Sequence, residues 1–179
     1  MQTKHKQLKE FIIISALLIF GFAYFIWLNK APSPPSIPEE AKTAYKALEK
    51  LQAATQTGVS FDKYTELLIE ARAAVNSAEF KLPVISEKIL RDGYDPAPEY
   101  RLENINFKMQ KAMDAYQSAK TAWWHKITNK NLSDTPEGKL VLSKYAFLIA
   151  PNMDGDTAIQ KLWDRADTTL ETLHKLIEN

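Results

Sequence analysis

The chain has no cysteine and little glycine, and each shortage excludes a class of protein. None of its 179 residues is cysteine, so disulfides, thiol nucleophiles, thiolate metal sites and a cysteine-linked lipid anchor are excluded. Only five residues are glycine, and no segment alternates β-branched and polar residues as a strand does. The motifs of nucleotide-binding loops, zinc proteases and serine hydrolases are also missing. We therefore expect neither an enzyme nor a bound cofactor.

The charge balance argues against nucleic acid as a partner. The chain has 23 basic and 22 acidic residues. Four of the basic residues and one acidic residue lie in the first thirty positions, so the rest of the chain carries a net charge near −2. A nucleic-acid-binding domain would instead carry a basic patch or stripe. The residues that are abundant, Ala, Leu, Lys and Glu, favour helices.

Residues 11–28 form a long run without any charge, with the sequence FIIISALLIFGFAYFIWL. A helix of that length spans about 27 Å, close to the hydrocarbon thickness of a bilayer. We expect a transmembrane helix in contact with the lipid bilayer, preceded by a short basic tail at 1–10. The run is longer than the apolar region of a usual signal peptide, and no small-residue cleavage site follows it. These features favour an uncleaved signal anchor over a removed leader.

The basic residues nearest the apolar run favour a cytoplasmic N-terminus. Lys4, Lys6 and Lys9 precede the run, while Lys30 alone follows it closely, and positive charges tend to stay on the cytoplasmic side. If the count is extended as far as Lys46, the number of basic residues is equal on the two sides of the run. The prediction therefore depends on the charges closest to the membrane. It places the rest of the chain on the far side, periplasmic or otherwise extracytoplasmic.

The anchor is followed by a proline-rich segment at 29–38, in which four prolines fall within the sequence APSPPSIP. Proline-rich segments favour the polyproline II conformation, which extends about 3.1 Å per residue. We expect a semi-rigid spacer that holds the following domain about 25 Å from the anchor. The alternative is a ligand for an aromatic groove of another protein.

Residues 39–179 predict an antiparallel bundle of four main helices and one short helix, so the fold class is all-α. A long hairpin over 60–129 is its largest part, because apolar residues recur in coiled-coil heptads on both sides of a turn at 93–98. Proline lacks the backbone N–H and crowds the preceding turn, so Pro83 should break or kink the first arm. Gly58 should end the helix before the hairpin in a left-handed cap, and Ser60 should cap the next helix.

Two helices are expected after the hairpin. Thr135 or Asp134 should cap a short helix that runs from Pro136 toward Ala150, since proline is favoured at the first helical position. Asp156 should cap the last helix. Apolar residues then recur at three- and four-residue steps to the end of the chain, which is typical of a helix with one buried face.

Two patterns resemble parts of metal sites, and a structural role is the simpler explanation of each. Glu171 and His174 have the E-x-x-H spacing of di-iron bundles, but a di-iron site needs two such copies and two further glutamates. Asp154 and Asp156 resemble part of a calcium loop. If an EF-hand loop is counted from Asn152, however, its last ligand position is occupied by Trp163. We therefore expect capping or solvated side chains and no bound metal.

Six residues form the candidate surface for a partner or ligand. The adjacent Trp123 and Trp124 are costly to leave exposed, and they either plug the end of the bundle or line a pocket. Residues 140–150 are apolar on more than one face, so they are either buried across the end of the bundle or form a docking patch. The candidate surface comprises Tyr116, Trp123, Trp124, Tyr145, Phe147 and Leu148.

Together these features favour a non-catalytic interaction or scaffolding module that binds a protein partner or a second copy of itself. An alternative is a sensor-like bundle that binds a small ligand between its helices. The predicted cytoplasmic tail is too short for an output domain, so such a sensor would signal through a partner protein. A metal-dependent bundle enzyme is a third hypothesis, which requires more metal-ligating residues than the spacing above supplies.

Overall fold

A computed structural model describes residues 36–91, 97–149 and 154–178. These residues form five α-helices and two short 3-10 helices, and no strand occurs among them. The prediction of an all-α bundle is therefore confirmed for this part of the chain. The predicted basic tail, spanning helix and first part of the spacer lie outside the described residues. Within those residues, no helix is both long and apolar enough to cross a bilayer.

The five helices are named α1 to α5 in chain order. Four of them are long: α1 covers Glu39–Thr57, α2 covers Phe61–Arg91, α3 covers Ala97–Ile127 and α5 covers Gly155–Glu178. The remaining helix is short and has a 3-10 helix on each side: α4 covers Pro136–Lys144, between Leu132–Asp134 and Ala146–Ile149.

Gly58 and Ser60 separate α1 from α2, as their residue types predict. Gly58 has a φ of +86°, which favours glycine, and α1 ends directly before it. The Ser60 hydroxyl accepts the N–H of Lys63 at 3.3 Å and caps α2. Of the predicted break or kink at Pro83, the break was wrong, because α2 continues to Arg91. A proline removes only one backbone hydrogen bond, and the turns on either side keep the segment helical.

The caps of α4 and α5 come from the loops before them. The Thr135 hydroxyl accepts the N–H of Gly138 at 3.1 Å, which confirms Thr135 as the cap of α4. Asp154, and not Asp156, caps α5, because its carboxylate accepts the N–H of Thr157 at 2.8 Å. The prediction for Asp156 was therefore wrong by two residues. Asp156 lies in the first turn and forms an ion pair with a lysine of α3.

Helices α1, α2, α3 and α5 form an antiparallel ring in which each helix packs against two neighbours. Lys50 of α1 pairs with Glu70 of α2 at 2.8 Å, while Glu40 near the start of α1 pairs with Lys81 further along α2. The two helices therefore run in opposite directions. The same antiparallel order holds for the other three neighbouring pairs, which are α2 with α3, α3 with α5, and α5 with α1. The arrangement is that of an up-down-up-down four-helix bundle.

Alanine and larger apolar residues alternate in the core of this bundle, which lets the helices approach closely. Ile37 also belongs to the core, although the sequence places it in the spacer, so the packed domain already includes the residue before Pro38. The fully buried alanines of the bundle core are Ala41, Ala44, Ala71, Ala78, Ala112, Ala115 and Ala166.

Helix α4 packs on the outer side of α3 and does not join the ring. Val141 of α4 and Leu148 after it form a second apolar cluster with small residues of α3 and with the first turns of α5. The helix is shorter than the predicted span to Ala150. It ends at Lys144 because Tyr145 leaves the helical conformation, and a 3-10 turn follows.

Candidate functional site

Two of the six residues in the predicted surface lie in an aromatic cluster between α2, α3 and α5. Tyr116 is fully buried, and its hydroxyl donates a hydrogen bond to Asp167 Oδ1 at 2.9 Å. Trp123 is partly buried and lies against Tyr64 and Trp163, with ring centroids 5.7 Å away in each case. Trp123 therefore plugs the bundle interior, which was one of the two roles predicted for it.

The polar atoms of this aromatic cluster bond to one another. The Tyr64 hydroxyl donates to the backbone carbonyl of Tyr116 at 2.8 Å, and the indole N–H of Trp163 donates to the Tyr64 hydroxyl at 3.2 Å. Burial raises the pKa of both Tyr64 and Tyr116, and the carboxylate of Asp167 raises both further. A satisfied network of neutral hydroxyls inside a bundle fixes helix packing, and none of these groups is open to a substrate.

Trp124 has a different environment from its neighbour. Its side chain is 50 % exposed, and its ring centroid lies 6.1 Å from that of Phe61 on α2. These two rings line a cavity of about 500 Å³ between the start of α2, the end of α3 and the start of α4. We call this cavity the aromatic groove. It is lined by Phe61, Asp62, Thr65, Gln117, Lys120, Thr121, Trp124, His125, Lys130, Thr135 and Glu137.

His125 holds the wall of the aromatic groove in place. It is 4 % exposed, and its Nδ1 lies 2.8 Å from the carbonyl oxygen of Thr121, so this nitrogen carries the proton. Its Nε2 lies 2.7 Å from the hydroxyl of Thr135, the residue that caps α4. Both ring nitrogens are thus used to fasten the start of α4 to the end of α3. These two partners define the tautomer, with the proton on Nδ1 and the lone pair of Nε2 facing the Thr135 hydroxyl.

Several polar groups that line the groove have no partner among the described residues. The Thr65 hydroxyl is shielded from water, and it neither donates nor accepts a hydrogen bond with another described residue. Asp62, Lys120, Lys130 and Glu137 form no ion pair with another described residue. The groove therefore combines an exposed aromatic wall with two charges of each sign.

The other three residues of the predicted surface lie away from the groove. Tyr145 contacts Phe147 with ring centroids 5.8 Å apart, and Lys161 of α5 lies 6.0 Å from the centre of the Phe147 ring. Leu148 is buried against α3, while Phe147 and Ile149 are exposed. Residues after α4 are therefore neither wholly buried nor one continuous patch.

Of the E-x-x-H pair, His174 takes part in helix packing. Glu171 is exposed, while His174 stacks on Tyr45 of α1 and places Nδ1 2.9 Å from its hydroxyl. The other ring nitrogen, Nε2, lies 3.0 Å from Glu178. Across the described ranges, no group of three His, Asp or Glu side chains is arranged to hold a metal ion.

Sequence reasoning identified Trp124 but not the groove that it lines. Phe61 carries the heptad spacing of a core residue, and nothing in the linear sequence places it beside Trp124. The charged residues come from α2, α3, the loop after α3 and α4, so only the packing of α4 on α3 brings them together. The unpaired surface charges could not be distinguished from ordinary solvated ones by type or spacing.

The aromatic groove is therefore the candidate functional site of the described domain. It contains one of the six predicted surface residues, and the other five are spread between the core and a different face. Comparison of the chain with protein-family models, with curated proteins and with solved structures found no match.

Proposed function

We propose that this chain is a membrane-anchored, non-catalytic interaction module that binds a protein partner through the aromatic groove. Residues 11–28 anchor it, residues 29–38 link the anchor to the bundle, and the bundle faces the extracytoplasmic side. The observation that carries the proposal is the half-exposed Trp124 beside Phe61 in a groove with a charged rim.

The physical support is the cost of leaving this aromatic surface in water. Tryptophan and other aromatic residues dominate the energetics of protein interfaces, because burying one removes a large apolar area from solvent. The core already holds Trp123 and Trp163, and half of the Trp124 side chain remains outside it. A central aromatic contact with a polar rim is the usual composition of a protein-binding surface.

The position of the groove also suits a partner. Residues 36–38 join the domain where α1 begins, and α1 runs antiparallel to α2, whose first residue is Phe61. The groove is therefore at the opposite end of the bundle, about 28 Å along α1 at 1.5 Å per residue. A protein bound there would lie away from residues 36–38.

Photocrosslinking in intact membranes tests the proposal. A photoreactive residue is placed at Trp124 in the full-length chain, and a matched one at Phe107, which is 57 % exposed on α3 but lies outside the groove. We expect a crosslinked product with a second protein from position 124 and none from position 107. A product of two copies of this chain would identify the partner as a second copy. Recovery of the monomer alone from position 124 would contradict the proposal.

A second candidate function is the binding of a small ligand, as in the sensor hypothesis. The cavity of about 500 Å³ has the size of typical small-molecule sites. A thermal-shift screen of metabolites against the full-length chain tests this function. We expect a genuine ligand to raise the melting temperature of the parent chain but not that of Trp124→Ala. An equal rise in both would place the ligand elsewhere.

A further inference from the structure

We infer that the aromatic groove binds an extended peptide segment in which one large apolar side chain lies between an acidic and a basic residue. The inference rests on the proposed function and specifies the chemistry of its partner. Three properties of the groove support it: the aromatic wall, the balance of charges and the length.

The aromatic wall requires an apolar contact. The rings of Phe61 and Trp124 are tilted by 32° to each other, with the exposed part of Trp124 facing solvent. An aromatic or branched apolar side chain laid against this indole removes apolar area from water on both partners. Offset and tilted ring contacts of this kind are favourable beyond the area that they bury.

The charges of the groove require a partner that carries both signs. Asp62 and Lys120 lie on the side formed by α2 and α3, while Lys130 and Glu137 lie on the side formed by the loop after α3 and by α4. Each side thus has one acidic and one basic residue, with no ion pair to another described residue. A polyanion or a polycation would meet as many like charges as opposite ones. A segment with one charge of each sign can pair with both.

The length of the groove favours an extended peptide. Gln117 and Trp124 bound the α3 part of the groove and are about 10 Å apart along the helix. Three extended residues cover that distance.

Peptide titration of the full-length chain in detergent tests the inference. The probes are three capped tripeptides, Asp-Phe-Lys, Asp-Ala-Lys and Ser-Phe-Ser, and the readout is the NMR signals of the four tryptophan indoles. We expect Asp-Phe-Lys to shift the Trp124 signal at millimolar concentration and to leave the Trp163 signal unchanged. Loss of the phenyl group or of the charges should weaken binding about tenfold and about fivefold, respectively.

Three variants locate the binding to the groove. Phe61→Ala removes the second ring of the aromatic wall and should weaken the binding of Asp-Phe-Lys measured at the Trp124 signal. Asp62→Asn combined with Glu137→Gln should weaken Asp-Phe-Lys about fivefold without changing the binding of Ser-Phe-Ser. Phe107→Ala removes an exposed aromatic outside the groove and should leave every affinity unchanged. Melting temperatures within a few degrees of the parent chain show that each variant is folded.

The outcomes separate this inference from the proposed function. Equal affinity for Asp-Phe-Lys and Asp-Ala-Lys, or no shift of the Trp124 signal with any peptide, would overturn the peptide inference. Crosslinking of position 124 to a protein, together with no peptide binding, would leave the proposed function standing and refute only the peptide chemistry. Peptide binding without any crosslinked protein would support the groove chemistry and contradict a stable protein partner.

Discussion

At the scale of single residues, Gly138 determines how closely α4 approaches the loop before it. A Cβ atom at this position would lie 2.0 Å from the backbone carbonyl oxygen of Leu132, which is far inside van der Waals contact. The carbonyl oxygen belongs to the backbone and the Cβ atom is fixed directly to it, so neither can move away as the end of a flexible side chain would. The sequence marks Gly138 only as an unfavourable residue within a helix, and the close approach that requires it becomes visible in the structure.

We predict that Gly138→Ala lowers the free energy of unfolding by about 1–3 kcal/mol, because the new methyl group forces the backbone apart. Urea denaturation of the full-length chain in detergent measures the change. Gly155→Ala is the matched control, since its Cβ would meet only the side chain of Lys126, at 3.1 Å. Comparable losses in the two variants would contradict the role assigned to Gly138.

The buried tyrosines predict how stability depends on pH. Burial raises the pKa of Tyr64 and Tyr116, whereas tyrosine in the unfolded chain ionises near its reference pKa of about 10. Both groups stay protonated in the folded state, so their contribution to stability is complete below pH ~10. Above that pH the unfolded state loses protons first, and each tyrosine lowers stability by up to about 1.4 kcal/mol per pH unit.

Urea midpoints measured between neutral and strongly alkaline pH test this dependence. Tyr116→Phe should reduce the alkaline slope, because it removes one of the tyrosines whose pKa is raised. Tyr100→Phe is the control for the loss of a tyrosine hydroxyl, because Tyr100 is 67 % exposed. An unchanged slope in Tyr116→Phe would show that its hydroxyl is not buried in solution.

At the scale of helices, the local sequence predicts starts and ends well where one residue type has a strong preference. Gly58, Ser60 and Thr135 bound helices as expected because left-handed backbone and hydroxyl caps are local properties. The break at Pro83 was wrong because the loss of one backbone hydrogen bond does not end the helix. The cap at Asp156 was wrong because the nearby Asp154 supplies it. The outer position of α4 was not predictable from periodicity, since it depends on which face of α3 is free.

We predict that Thr135→Ala lowers the free energy of unfolding by about 1–2 kcal/mol, because one hydroxyl serves two helices. It accepts the N–H of Gly138 and lies 2.7 Å from Nε2 of His125, which would be left unpaired. Thr135→Ser keeps the hydroxyl and should retain most of the stability. Hydrogen exchange of the α4 amides measures the local effect. If the serine variant accelerated this exchange as much as the alanine variant, this explanation would be contradicted.

At the scale of the whole molecule, the candidate site depends on α4 and the bundle, whereas the predicted location of the protein depends on the apolar run at 11–28. The hydrophobicity and length of that run alone predict that it spans a bilayer. The aromatic groove could not be predicted in the same way, because Phe61 and Trp124 become neighbours only when α2 packs antiparallel to α3.

We predict that the C-terminus lies outside the cytoplasm, because the basic residues Lys4, Lys6 and Lys9 precede the apolar run. A compartment-sensitive reporter fused after Asn179 measures this directly. Reversing the charge of these three lysines should reduce the extracytoplasmic signal, whereas reversing Lys46 should not. A cytoplasmic signal from the parent chain would require a partner on the other side of the membrane.

The most direct test of the central claim, that the bundle is held at a membrane by residues 11–28, is alkaline extraction of membranes without detergent. We expect the full-length chain, uncut at its N-terminus, to remain in the membrane pellet. Uncut chain in the supernatant would contradict the account, because a helix that spans the bilayer is not released by alkali.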